Sequence, residues 1–269
     1  MLIQEDLLKH WIQNFFGHGS WNAKIWFISY EEPGADVPED LNERLHYFES
    51  VHDSSSQEAL CEVRELYRRI TFRNDGPRAA LFSNHYDYRF GDRAILHGIW
   101  KNLISFAHGY RNEPLPDLLI YQRELFALST RNKEALISLY PLPSPHNHAW
   151  YYSWIDAPNL PFLKQRANYE TQVYRQRINT ILVNMRKHKP SVVLMYEMNN
   201  INTLKESVRE FFPGAEFQLV KAIKRVIPQH HRANLNGTTL LITTQVPALR
   251  HNRIETGFDW EEVGKLARV

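Results

Sequence analysis

Two carboxylates stand side by side at Glu31-Glu32, and Pro33-Gly34 follows at once. Proline fixes φ and glycine tolerates left-handed backbone, so the two acids sit on a stiff turn. Ahead of them, Lys24 to Ser29 is a short apolar run that reads as a buried strand. Ligands of open parallel α/β sheets collect at the carboxyl ends of strands, so acids there make a candidate reaction centre. Two other loops carry polar groups in a comparable setting. Pro141-Leu142-Pro143-Ser144-Pro145 stiffens a loop that runs on through Asn147 and His148. Gln245 to Arg253 follows a β-rich run at 238–244. Together these residue types suit hydrolysis of a glycosidic bond to a base. Glu31 or Glu32 would orient water and stabilise positive charge on the sugar. Asn147, with an amide donor and acceptor, would read a base edge with His148 beside it. His251 or Gln245 would donate toward the leaving base. Arg250, Arg253 and Ser144 would hold phosphates.

The elements that must position these loops are legible as periodic runs. Strands are expected at 24–29, 135–140, 191–196 and 238–244, with one or two short edge strands within 216–228. His230, His231 and Arg232 are expected in the turn that follows the edge. Helices are expected at 4–16, 39–51, 57–71, 92–110, 164–187, 200–211 and 258–267, with a short apolar helix or loop at 117–129. Strands alternating with helices predict a three-layer α/β/α sandwich around a four-stranded, mainly parallel sheet. Parallel strands share a direction, so the three loops should meet on one edge. The 35–125 stretch reads as a helical insertion after the first strand, inside a single domain spanning 1–269. Within it, Arg73, Arg78 and Arg89 interleave with His85, Tyr86 and Tyr88. That pattern suits either a phosphate track with stacking platforms or an ordinary solvated loop.

Composition narrows the class. A hydrophobic content of 43% over 269 residues supports a sizeable core. No apolar run approaches a membrane span, and Met1 to Asp6 lacks the features of a secretory signal. Cys61 is the single cysteine. It permits no intrachain disulfide and no four-cysteine iron–sulfur cluster, and a cytoplasmic location is expected. The net charge of +2 does not by itself argue for nucleic acid. His146-x-His148 and His230-His231 lack a clear third zinc ligand. A G-x-S-x-G elbow is absent, and Gly17-x-Gly19 precedes its strand whereas a dinucleotide fingerprint follows one. No cofactor or metal is expected.

The glycine-rich lead, the strand and the acid-x-Pro-Gly turn resemble the first motif of the uracil-DNA glycosylase superfamily. The carboxylate ahead of Pro-Gly looks most like its thermostable bacterial and archaeal branch, without that branch's cluster cysteines. The resemblance covers roughly 15–150 and 190–255. It implies a four-stranded parallel sheet and a monofunctional glycosylase that flips a base out of DNA and leaves an abasic site. It places Glu31 on the water-handling position, Glu32 on a spacer and Pro33-Gly34 on the turn. Tyr30 stands where the family has glycine, and Tyr30 and Pro33 would border the base. Gln245-Val246-Pro247-Ala248 occupies the place of a histidine motif, so Gln245 replaces the histidine. The segment from Pro141 to Pro145, Trp150-Tyr151-Tyr152, and Pro161 to Arg166 with Tyr169 look like an atypical bacterial subgroup. The implied partner is DNA, the implied state a monomer, and the base either uracil or a bulky modified base of phage DNA, which would make the protein a defence enzyme. The alternatives are a catalytically decayed nucleic-acid-binding protein and a nucleoside or nucleotide hydrolase.

Overall fold

The structure is a computed structural model that describes residues 3–35, 38–52, 60–72, 76–144, 150–224, 226–248 and 257–268. Four strands, β2 (Ile25–Pro33), β3 (Glu134–Ser144), β4 (Val192–Tyr196) and β7 (Thr238–Ile242), are mutually parallel in the order β3-β2-β4-β7. They are the four runs expected from sequence. The sheet is nonetheless seven-stranded and mixed, not four-stranded. At one edge β1 (Gly17–His18) pairs antiparallel with β3. At the other, β6 (His230–Leu235) pairs antiparallel with β7, and β5 (Gln218–Val220) with β6. His230, His231 and Arg232 therefore lie in a strand and not in a turn. Their register opposite Val220, Leu219 and Gln218 satisfies backbone groups that a turn would leave to solvent.

Both faces of the central strands are buried, as parallel strands require. Ile25 and Phe27 of β2, Val192 and Leu194 of β4, and Leu241 of β7 face one core. Trp26 and Ile28, Val193 and Met195, and Leu240 and Ile242 face the other. The second core is covered by α1 (Glu5–Asn14), α2 (Pro38–Val51), α7 (Arg166–His188) and α8 (Ile201–Phe211). The first is covered by α3 (Val63–Arg69), α5 (Gly98–Arg111), α6 (Leu118–Glu124) and α9 (Trp260–Arg268), with α4 (His85–Arg89) packed on α3. Three layers result. The 35–125 segment supplies most of one layer, because α3, α5 and α6 lie in it and cover the Phe27 face together with α9.

Helices α5 and α9 touch backbone to backbone. A Cβ on Gly109 would stand 2.0 Å from the Glu261 carbonyl oxygen, and one on Gly264 would stand 2.1 Å from that of Phe106. The neutral His97 ring caps α5, its Nδ1 accepting from the Ile99 and Trp100 amides at 3.1 and 3.3 Å. Among the described residues no helix is long and apolar enough to cross a membrane.

Candidate active site

The parallel strands end together, and the candidate site is built where β2 and β3 finish. Glu31 lies opposite Tyr140 and Pro33 opposite Ser144, so β3 uses four steps where β2 uses two. Pro141-Leu142-Pro143 of β3 thus span the place of the single residue Glu32 on β2, an excess of two. Their backbone is held by side chains: Trp11 Nε1 donates to the Pro141 carbonyl at 2.8 Å, and the Tyr152 hydroxyl to that of Pro143 at 2.7 Å. The Leu142 amide donates to the Tyr169 hydroxyl at 3.1 Å. The loop is stiff because prolines restrict it and buried aromatics tie it down.

Strand alternation and this bulge send the two acids to different partners. The Glu32 carboxylate is buried. His18 Nε2 lies 3.1 Å from Oε1, and the Ser138 hydroxyl donates to Oε2 at 2.6 Å. Arg44 adds its charge at 3.6 Å. Burial alone would raise this carboxyl, but His18, Arg44 and Ser138 outweigh it and hold it below the usual carboxylate range. Arg44 is also bonded through Nε to Asp40 Oδ1 at 2.6 Å, and Asp40 Oδ2 accepts from the Ala35 amide at 3.0 Å. This pair clamps the turn after β2. Gly34 sits there at φ 105°, where a Cβ would lie 2.5 Å from the Arg44 guanidinium.

Glu31 instead meets Arg166, the first residue of α7. The same guanidinium donates to the Ser144 hydroxyl at 3.1 Å and lies over the Trp150 ring at 4.9 Å. Tyr30 and Tyr140 pack with ring centroids 4.9 Å apart. Glu170, one turn along α7 from Arg166, bonds the Tyr30 hydroxyl; burial lifts its carboxyl above the usual range, offset only in part by Tyr30 and Arg166. The Tyr30 hydroxyl is itself pushed up by burial and by Glu170.

Of the residues expected at the site, Glu31, Tyr30 and Ser144 come together, with Pro33 exposed on the turn beside them. Glu32 is adjacent in sequence but belongs to the buried network behind the turn. Gln245 follows β7, on the same edge but two strand spacings from β2, roughly 10 Å. Its carbonyl accepts from the Glu197 amide at 3.1 Å, and its amide donates to Thr243 Oγ1 at 3.1 Å. Glu197 caps the end of β4 at φ 63°, which puts a further carboxylate on this edge. Asn147, His148, Arg250, His251 and Arg253 lie outside the described residues. Among the described residues no group of three His, Cys, Asp or Glu side chains could hold a metal ion.

Sequence reasoning missed Glu170, Glu197 and the buried partners His18, Arg44 and Ser138. Arg166 and Glu170 stand four apart at the start of the long helix, and that spacing was the available signal. By sequence, the chain matches no protein-family model and no curated protein.

Proposed function

We propose that the protein is a DNA glycosylase that hydrolyses the bond between a base and its deoxyribose, with Glu31 as the carboxylate that handles water. The observation that carries this reading is the division of the acid pair. Glu32 is committed to a buried network, whereas Glu31 is pinned by Arg166 at the carboxyl end of a central parallel strand, among aromatic rings. Arg166 bonds Oε1, which leaves Oε2 to order a water. The water oxygen bonds to C1′ of the sugar, the bond from C1′ to the base nitrogen breaks, and the electron pair leaves with the base. The carboxylate offsets positive charge on the sugar and takes the water proton. Glu170, whose carboxyl burial raises above the usual range, is the nearby titratable group that would pass a proton to the leaving base. Trp150, half-buried beside Arg166, offers ring surface against which a flipped base can pack, and the buried Tyr30 and Tyr140 rings back the site.

The test is base release from DNA containing uracil, hypoxanthine, or hydroxymethylated or glucosylated cytosine, read as alkali cleavage at abasic sites. Glu31→Gln should slow release by about 100-fold or more while leaving DNA affinity unchanged. Undiminished release by that variant would exclude Glu31. Binding without release on every substrate would favour a decayed binding protein, and release from free nucleosides without DNA affinity a nucleoside hydrolase.

A further inference from the structure

The segment around α4 gathers guanidinium groups that have no acidic partner among the described residues. Two of them lie on one ring: Arg89 is 4.0 Å and Arg78 5.0 Å from the Tyr88 centroid. Phe82 and Phe72 pack edge-on against the same ring at 5.0 and 5.6 Å. Arg93 stands nearby with one nitrogen donating to the Leu81 carbonyl at 2.8 Å, and Arg89 spends one donor on the Ile95 carbonyl at 3.1 Å. Neighbouring arginines are neutralised differently, Arg68 by Glu65 and Arg123 by Asp92. Among the described residues Arg78, Arg89 and Arg93 have no such carboxylate. The segment's other acid, Asp87, is turned onto the Ser83 amide and hydroxyl.

A guanidinium lying on an aromatic face is fixed in place while its N–H edge stays available. Each has five donors, so most remain uncommitted here. Holding Arg78 and Arg89 on one ring also sets like charges against each other, a cost that a bound anion removes. The location suits the candidate site. His85, at the start of α4, packs edge-on against Tyr67 of α3 at 5.7 Å, and α3 packs on α2, whose Asp40 and Arg44 clamp the turn after β2. The segment then leads into α5, whose Asn102 donates to the Pro247 carbonyl beyond β7 at 2.9 Å.

We infer that Arg78, Arg89 and Arg93 form a phosphate-binding face that holds the DNA backbone beside the candidate active site. The identity of the polyanion rests on the glycosylase reading. Surface arginines on a phosphodiester release counterions, so each contact contributes to the salt dependence of binding.

The experiment is fluorescence anisotropy with a labelled 20-nucleotide DNA free of modified bases, single-stranded and duplex, titrated over a range of KCl concentrations. Arg78→Gln, Arg93→Gln and their double variant are compared with wild type. Arg89 is left intact because it is half-buried, whereas Arg78 and Arg93 are exposed. The double variant should bind about tenfold more weakly at 0.1 M salt, and the slope of log K against log salt should fall by about one per arginine removed. Arg78→Lys should retain the slope, and thermal melts should match wild type because Arg78 is exposed. Unchanged affinity and slope in the double variant, or no DNA binding by wild type, would overturn the proposal. DNA binding with these losses but no base release on any substrate would remove the glycosylase reading and leave the phosphate face standing. Base release with unaltered binding by the double variant would do the reverse.

Discussion

Neighbouring side chains on a strand point to opposite sides, and at Glu31 and Glu32 this separates two acids that look equivalent in sequence. One faces a guanidinium at the end of the sheet. The other completes a buried network whose loss leaves Arg44 with one carboxylate fewer. Glu32→Gln should therefore cost about 3 kcal/mol of stability, as removal of one member of a buried charge pair does. Chemical denaturation will show it as a lower midpoint at unchanged slope. Glu31→Gln, whose partner Arg166 is 19% exposed where Arg44 is 1% exposed, should lower the midpoint by less than Glu32→Gln does. Equal losses in the two variants would mean that both acids are structural. The presence of acids at a strand end was legible in the sequence, because a short apolar run meets Pro-Gly there. Their ranking was not. It depends on a bulge between β2 and β3 and on His18 and Arg44, which no local pattern connects to Glu32.

At the scale of elements, the four parallel strands and most helices were legible from apolar periodicity, since each buries a face of its own. The edges were not. Gly17-His18 is too short to show a period, and His230-His231-Arg232 is polar enough to read as a turn. Periodicity also finds the helices of 35–125 without revealing that they form a layer of the fold, because what they cover lies elsewhere in the chain. The crossing of α5 and α9 is the tightest joint in that layer. Gly264→Ala would drive a methyl group into the Phe106 carbonyl, and backbone cannot yield as a flexible side chain can. The expected cost is at least about 1–3 kcal/mol. Native-state hydrogen exchange should locate the loss in α9 and the facing turns of α5, and an unchanged melt would show that the two helices can slide apart freely.

For the whole molecule, acid should be the destabilising direction. Burial pulls His85 down to about 4, and burial with Arg89 pulls His97 down to about 3, from an ordinary value of 6.5. A base lowered on folding contributes its full stability above the unfolded value and loses it as pH falls toward the folded one. Glu32, also lowered on folding, adds a loss that begins below its ordinary value of 4.5. The melting temperature should thus decline from about pH 6.5 downward and steepen below about 4.5. Protonated His97 can no longer accept from the α5 amides. His97→Asn, which keeps an N-cap acceptor without a titrating ring, should flatten the upper part of the decline. A flat profile in wild type would show that these rings find water as easily folded as unfolded.

The wide spacing of the central strands also has a consequence during synthesis. β2 pairs with β3 and β4, and its nearer partner begins at Glu134. Ribosomes add about 5–20 residues per second, so Ile25–Pro33 waits on the order of 5–20 s for an edge to pair with. Helices made in the interval can shelter its faces but cannot satisfy its backbone. The strand that carries Glu31 is therefore the stretch of the nascent chain most in need of a chaperone, and the length of the helical segment after it sets how long that need lasts.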